Sequence, residues 1–238
     1  GPAQEGAGYF QLTAKNGRRW STAMGYLRQA KKRPNLKVVT VALASRILFD
    51  GHRAIGVKYR RGSTTHVANA NAEVILAGGA FNSPQLLLLS GIGPADELKA
   101  VGVTPRVDLK GVGKNLSNHP VASTQWTRAK GQGTFHKGLR MDRLAISLTQ
   151  YFLFGTGFAT RVPAMGTAFT KSEAGLDAPD LQFYCGGGGF RAHEWFPVVK
   201  PPEPDVFGLT YCHLRPESRG EVKLGSAVRY VDHEGKEM

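Results

Sequence analysis

Cysteine is scarce in this chain: two thiols, Cys185 and Cys212, in 238 residues. They form no Cys-x-x-Cys motif and are too few for a disulfide framework. Their apolar, strand-like surroundings point to core packing in a reducing, cytoplasmic setting. Acidic residues are also few. Eighteen Asp and Glu stand against 31 Lys and Arg, for a net charge of +13. Such a charge raises nucleic acid or an anionic membrane surface as a partner. The basic residues are scattered, however, and the densest runs, 28–33 and 58–61, each sit at the end of an apolar segment. No stripe of Arg and Lys interleaves with aromatics as a single-strand groove requires, so no nucleic-acid partner is expected. No apolar run reaches the ~20 residues that cross a bilayer, so no membrane span is expected either. There is no charged-then-apolar leader, and the opening Gly1-Pro2-Ala3-Gln4-Glu5-Gly6 lacks a Met. It reads as the middle of something longer.

Several catalytic motifs are missing. No Gly-x-Ser-x-Gly elbow supports serine hydrolysis. His193-Glu194 lacks the second histidine of a zinc-protease helix. His136, His193, His213 and His233 have no Cys or carboxylate at metal spacing, His52 and His66 flank hairpins as exposed residues, and His119 before Pro120 packs at the domain junction, so no metal site is expected. No Gly-x-Gly-x-x-Gly is present: 186–189 is a plain glycine run, and Gly111-Val112-Gly113 lacks the third glycine and a following helix. Asn115-Leu116-Ser117 matches a glycosylation sequon, which is expected to go unused without a secretory leader.

What is present is a globular balance, 41% apolar and 21% charged. Strands are expected at 9–13, 36–41, 46–49, 54–59, 64–68 and 73–77, the last short and apolar enough to be buried. Ser21 can cap a helix ending before Pro34. Ser83 is a good N-cap and Pro84 a good first helical residue. A second short helix covers 95–101 and closes at Gly102. Beyond a glycine-rich link at 131–138, the run 141–154 is helical by length and by the spacing of Leu144, Leu148, Tyr151 and Phe152. Strands follow at 165–170, 180–184, 206–214 and 221–224, with one at 124–127 before the link. The change of pattern near 118–121 marks a domain boundary.

The most informative stretch is Glu73-Val-Ile-Leu-Ala77-Gly78-Gly79-Ala-Phe-Asn82-Ser83-Pro84-Gln-Leu-Leu-Leu-Leu-Ser90-Gly91-Ile92-Gly93. A buried strand breaks at two glycines and turns into a helix. Glycine lets a ligand or another backbone approach closely. The N–H groups near Asn82 and Ser83 would then lie at a helix N-terminus, which favours an anion or a ribose oxygen. From the residues alone two readings stand: a ligand site, or a tight turn with no ligand.

Residues 79–93 closely resemble the second signature of the glucose–methanol–choline (GMC) oxidoreductases. Gln4-Glu-Gly-Ala-Gly-Tyr9, Asn16-Gly-Arg-Arg-Trp-Ser-Thr-Ala23 and Arg33-Pro34-Asn35-Leu36 resemble the segments before that signature. Gly111-Val-Gly-Lys-Asn-Leu-Ser-Asn-His119 and Leu214-Arg-Pro-Glu-Ser-Arg-Gly-Glu-Val-Lys-Leu224 resemble later family segments, the choline-dehydrogenase-like branch being nearest. After Leu224 the resemblance stops.

The resemblance implies a fold of α/β plus α+β type. The rear part of a Rossmann-like FAD-binding domain would occupy 1–119, and an incomplete antiparallel-sheet substrate domain 120–238. It implies part of an FAD-dependent oxidoreductase acting on the CH–OH group of choline or another primary alcohol, with hydride passing to the flavin. The partner is a small alcohol; the electron acceptor stays open. Ala44 falls where the family meets the adenine. Ala77, Gly78, Gly79, Asn82 and Ser83 fall near the adenosine half of FAD. Asn115 and His119 fall near the domain junction, where Asn118 replaces the usual Asp. No catalytic residue is expected, because the family's histidine and its His/Asn partner lie in a stretch with no counterpart here. The chain by itself is expected not to turn over alcohol. The rival reading is a non-catalytic, truncated, basic binding or structural module.

Overall fold

A computed structural model describes residues 4–129, 133–160, 164–189 and 191–225. The divergent tail with His233, and residues 131 and 132 of the glycine-rich link, lie outside the described residues.

In chain order, β1 (Gly6–Tyr9) is followed by the hairpin β2 (Ala14–Lys15) and β3 (Arg18–Arg19). A π-helical turn, Ala23–Leu27, runs into α1 (Arg28–Ala30). Three strands come next: β4 (Leu43–Asp50), β5 (Arg53–Arg61) and β6 (Thr64–Asn69). Then come α2 (Gly79–Leu89), β7 (Ile92–Gly93), α3 (Ala95–Ala100), β8 (Val107–Asp108) and β9 (Val121–Thr127). The last group is α4 (Thr134–Gly138), α5 (Met141–Phe154), β10 (Ala164–Thr170), β11 (Leu181–Gly186) and β12 (Val206–His213).

The chain divides into two compact units. The first joins 1–37 to 119–216. Its centre is a five-stranded antiparallel sheet in the order β1-β10-β11-β12-β9. One break of this division lies at 118–119, beside the expected 119–120, and 1–37 fall in the same unit as the later sheet. Backbone pairing is the reason, since Gly6 to Tyr9 lie opposite Phe169 to Gly166. Helix α5 spans the expected residues and ends on Gly155, whose left-handed φ of 67° suits a residue without Cβ. Asp180 fixes the turn into β11: its carboxylate accepts from the Ser172 N–H at 2.7 Å and from the Ser172 hydroxyl at 2.6 Å. These bonds hold the Asp180 carboxyl below its ordinary range.

The second unit takes 38–118 and 217–238. A meander, β4-β5-β6, carries α2 on β4. Ser90, at the end of α2, makes this contact specific. Its buried hydroxyl donates to the Leu86 carbonyl at 2.6 Å and accepts from the Ile47 N–H at 2.8 Å. Leu88, Leu98, Val103 and Val112 form the core, with Leu98 only 1% exposed. The parallel pair β7–β8 edges it.

Four expectations are corrected. Residues 73–77 are not a strand: they pair with nothing among the described residues, and Ile75 is 77% exposed. Apolar composition reports what a segment needs, and no strand among the described residues pairs with it. Residues 36–41 are likewise unpaired, and Val41 sits at φ 53°, a left-handed conformation that a β-branched residue resists. The strand at 221–224 is absent; the segment makes single backbone bonds instead. Cys185 is exposed, whereas Cys212 is buried as expected.

Two substitutions test the core of the second unit. Ser90→Ala should cost about 1–3 kcal/mol, because it leaves the Ile47 N–H buried without an acceptor. Leu98→Ala should cost about 2–5 kcal/mol through lost burial and a residual cavity. Urea unfolding at unchanged m-value reads both. A Ser90→Ala midpoint equal to the parent's would contradict the role assigned to the hydroxyl.

Candidate functional site

The signature segment splits into an open half and a packed half. Helix α2 starts at Gly79, five residues earlier than expected, so Ser83 and Pro84 lie inside it and not at its start. Ser83 contributes differently: its hydroxyl accepts the Gly78 N–H at 3.0 Å, curling the chain into the helix. Pro84 supplies no N–H for the Ala80 carbonyl, and that carbonyl belongs to an exposed residue. No side chain caps α2, so the N–H groups of its first turn face outward. Those near Gly79 and Ala80 take the place expected for Asn82 and Ser83. Ala77, Gly78, Gly79 and Asn82 are all exposed. Gly79 has φ 82°, and a Cβ there would meet no atom within 4 Å. A Cβ on Gly78 would stand 3.0 Å from the Cβ of Asn82, so space is open on one glycine and closed on the next.

The other half has structural tasks. Ser90 joins helix to strand. Gly91 has φ 84°, and a Cβ on it would lie 2.7 Å from the Thr104 carbonyl. A Cβ on Gly93 would strike Leu88. The resemblance over 90–93 is thus accounted for by close packing alone.

Ala44 lies in β4, exposed, opposite Tyr59 and beside a bulge that falls between Ala44 and Arg46. Helix α2 docks further along the same strand, where Arg46 Nε donates to the Leu89 carbonyl at 3.3 Å. The structure therefore places Ala44, Ala77, Gly78, Gly79, Asn82, Ser83 and Asn115 in one unit, and His119 in the other. Asn115 has φ 60°, a conformation that asparagine tolerates better than most residues, so the turn alone explains an asparagine there. His119 is exposed and precedes Pro120.

Sequence reasoning missed what surrounds Asn115. Leu116 and Gly220 exchange backbone bonds at 2.9 and 2.7 Å, and the Val222 N–H donates to the Gly113 carbonyl at 2.7 Å. Lys114 Nζ lies 2.6 Å from Glu97 and 2.8 Å from Glu221. The two late segments of the resemblance thus meet as a clasp. Opposite charges at Lys114 and Glu221 were the signal available, but a separation of 107 residues hides it.

Donors for a metal are not gathered: no group of three or more His, Cys, Asp or Glu that could hold an ion occurs among the described residues. The histidines have other neighbours. His66 stacks on Tyr59 and His136 on Trp195, each at 5.2 Å, and His213 lies 3.6 Å from Asp180. No helix among the described residues is long and apolar enough to cross a membrane. For a dinucleotide, the open turn at 77–79 offers room to a flat ring and outward N–H groups to oxygens. The turn at 111–113 leads into no helix and offers no dianion cradle.

The family model for GMC oxidoreductases matches residues 1–121. Human mitochondrial choline dehydrogenase is 43% identical over 227 residues, which are 94% of this chain and 37% of that protein. The oxygen-dependent choline dehydrogenase of Brucella ovis is 37% identical over 251 residues, 98% of this chain and 43% of that protein. Among solved structures, an Aspergillus oryzae formate oxidase with the mutation R554K superposes with a TM-score of 0.77 at 26% identity, over 90% of this chain and 41% of its own. The chain therefore spans about two fifths of the length of the curated relatives it matches.

The clasp has a pH signature. Hydrogen bonding to Glu221 and then to Glu97 raises Lys114 above its ordinary 10.5. Lys114, then Lys223, lowers Glu221 below its ordinary 4.5. The lowered carboxyl gives stability that is full above 4.5 and fades as pH falls through its folded value; the raised amine gives stability that is full below 10.5 and fades as pH rises through its own. Lys114→Met should therefore lower the thermal midpoint at pH 7 and low salt, with the deficit shrinking in strong acid and in 1 M salt. A deficit independent of both pH and salt would assign the loss to packing of the lysine stem.

Proposed function

This chain belongs to the GMC oxidoreductase family, and from that membership we propose that its residues serve an FAD-dependent oxidoreductase acting on the CH–OH group of alcohols, choline or another primary alcohol. Residues 38–118 contribute to the FAD-binding part, and the five-stranded sheet of the other unit contributes to the substrate part. FAD, when bound, accepts the hydride. The names of the human and Brucella relatives support an alcohol as the donor.

The observation that carries the cofactor assignment is the exposed turn at Ala77, Gly78 and Gly79. It joins a partly exposed apolar run, with Ile75 outward, to the uncapped start of an 11-residue helix. The flat adenosine would lie against the apolar run, and its ribose oxygens would accept from the first-turn N–H groups. Ala44, Asn82 and Ser83 belong to the same proposed surface; Asn115 and His119 belong to the proposed junction. The chain offers the pyrophosphate no glycine-rich helix start, so its contribution lies on the adenosine side. Hydride departure requires removal of the hydroxyl proton by a base. No histidine of this chain is assigned that task. Two unpaired thiols, one exposed and one buried, support a reducing location such as the cytoplasm.

Gly79→Leu tests the assignment. The new side chain finds open space in the protein, so folding loses about 1–2 kcal/mol from the left-handed φ. The adenosine's space, in contrast, is filled. In an enzyme completed to its relatives' length, flavin retained after gel filtration should fall sharply while the circular dichroism spectrum stays that of the parent. Full flavin content in folded Gly79→Leu protein would refute the placement.

A further inference from the structure

The first unit holds a cleft whose lining discriminates between classes of alcohol. It opens on one face of the sheet. Tyr184 lies opposite Thr210, which lies opposite Ser123. Two residues along each strand, Gly186 lies opposite Gly208, which lies opposite Gln125. Side chains two apart share a face, so these rows form one floor, and two of its positions have no side chain. Phe135 and Leu139, at α4 and its C-cap, wall the floor, and Gly188 and Gly189 edge it. The glycine run that carries no dinucleotide motif has this use. A Cβ on Gly188 would stand 2.6 Å from the Phe135 ring, and one on Gly189 would stand 2.6 Å from Val206. The space is about 430 Å³.

Its chemistry is neutral. Among the described residues, the lining comprises aromatic, aliphatic and glycine positions with Thr124, Gln125, Tyr184 and Thr210, and no carboxylate or cation. Thr210 shares a hydrogen bond with Ser123 at 2.8 Å, and the Tyr184 hydroxyl donates to Gln182 at 2.8 Å. Neither residue carries charge. An adjoining outer space of about 370 Å³ bears both signs, with Arg191 beside Glu203 and Asp205. Asp205 lies 3.4 Å from Arg128, so its charge is already opposed. A quaternary ammonium entering this cleft finds the Phe135 and Tyr184 rings but no carboxylate among the described residues of the inner space, and in the outer space Glu203 beside Arg191. An uncharged alkyl or aryl group finds apolar walls, and its hydroxyl finds amide and hydroxyl partners.

Resting on the alcohol reading above, we propose that this cleft binds the body of an uncharged alkyl or aryl alcohol and disfavours choline. Glycine at 208 supplies the room, and the uncharged lining among the described residues sets the selectivity.

The test is equilibrium binding to the purified chain by ligand-observed NMR, with 1-hexanol, benzyl alcohol and choline as probes. The neutral alcohols should bind at least about tenfold more tightly than choline. Gly208→Val should abolish their binding. This variant suits a strand, and a Cβ at 208 meets only ordinary contacts, at 3.5 Å from the Thr124 carbonyl and 3.6 Å from Gln125. Gln125→Glu places a carboxylate on the floor without changing its shape and should raise choline affinity several-fold. Choline binding as tightly as hexanol, no binding of either neutral alcohol, or unchanged hexanol binding in folded Gly208→Val would overturn the proposal. None of these readings uses flavin or turnover, so a failure of the oxidoreductase reading shows separately, in the flavin content of an enzyme completed to its relatives' length.

Discussion

The pairing of Leu116 with Gly220 is the constraint on which the second unit depends. A meander with one helix on it buries little, and its core is a handful of aliphatic side chains. Residues 217–225 return to this unit after the chain has built a whole sheet elsewhere. That return costs loop-closure entropy, although the cost grows only slowly with loop length. Mutual backbone bonds at 116 and 220, a third at 113 and 222, and Lys114 between two carboxylates offset it locally. Leu224 then packs against the core formed by Leu88, Leu98, Val103 and Val112. The ion pairs are partly exposed and contribute little individually. The backbone bonds give the clasp its register.

Local pairing was legible in the sequence and distant pairing was not. The hairpins β4-β5-β6 follow from Asp50-Gly51 and Arg61-Gly62 between alternating runs, because a turn two residues long sets both register and partner. Helix α5 follows from length, apolar spacing and the closing glycine. By contrast, nothing in Gly6 to Tyr9 says that its partner lies about 160 residues away in β10, so the grouping of 1–37 with the later sheet is not legible in the sequence. The run at 73–77 fails for a related reason. Its residues ask for burial, but pairing requires a second strand, and composition cannot supply one.

The site was legible as a stretch and not as a division of labour. The signature suggested one function for 77–93. The structure separates it into Ser90, Gly91 and Gly93, whose identities follow from a shared hydroxyl and two close approaches, and an entry turn in which Gly78 is held by its closeness to Asn82 while a Cβ on Gly79 would meet no neighbouring atom. The misplaced helix start had the same origin. Ser-Pro is a strong N-terminal signal, but Ser83 Oγ reaches back to the Gly78 N–H across a turn already formed. A serine five residues beyond the turn serves the entry as well as one at the cap position would.

Two kinds of exposed surface adjoin at that entry, and their combination is more selective than either. Ile75 and Phe81 are exposed at 77% and 64%, apolar surface that water hydrates at a cost. Between them, the first turn of α2 presents N–H groups that no side chain caps. An inorganic anion would satisfy the donors and leave the apolar surface wet. A purely apolar partner would cover the surface and strand the donors, which is costly once they are dry. A ligand that combines a flat ring with oxygens a few ångströms away meets both demands at once. The proposed adenosine has that form, and the open space at Gly79 lies where its two halves would join.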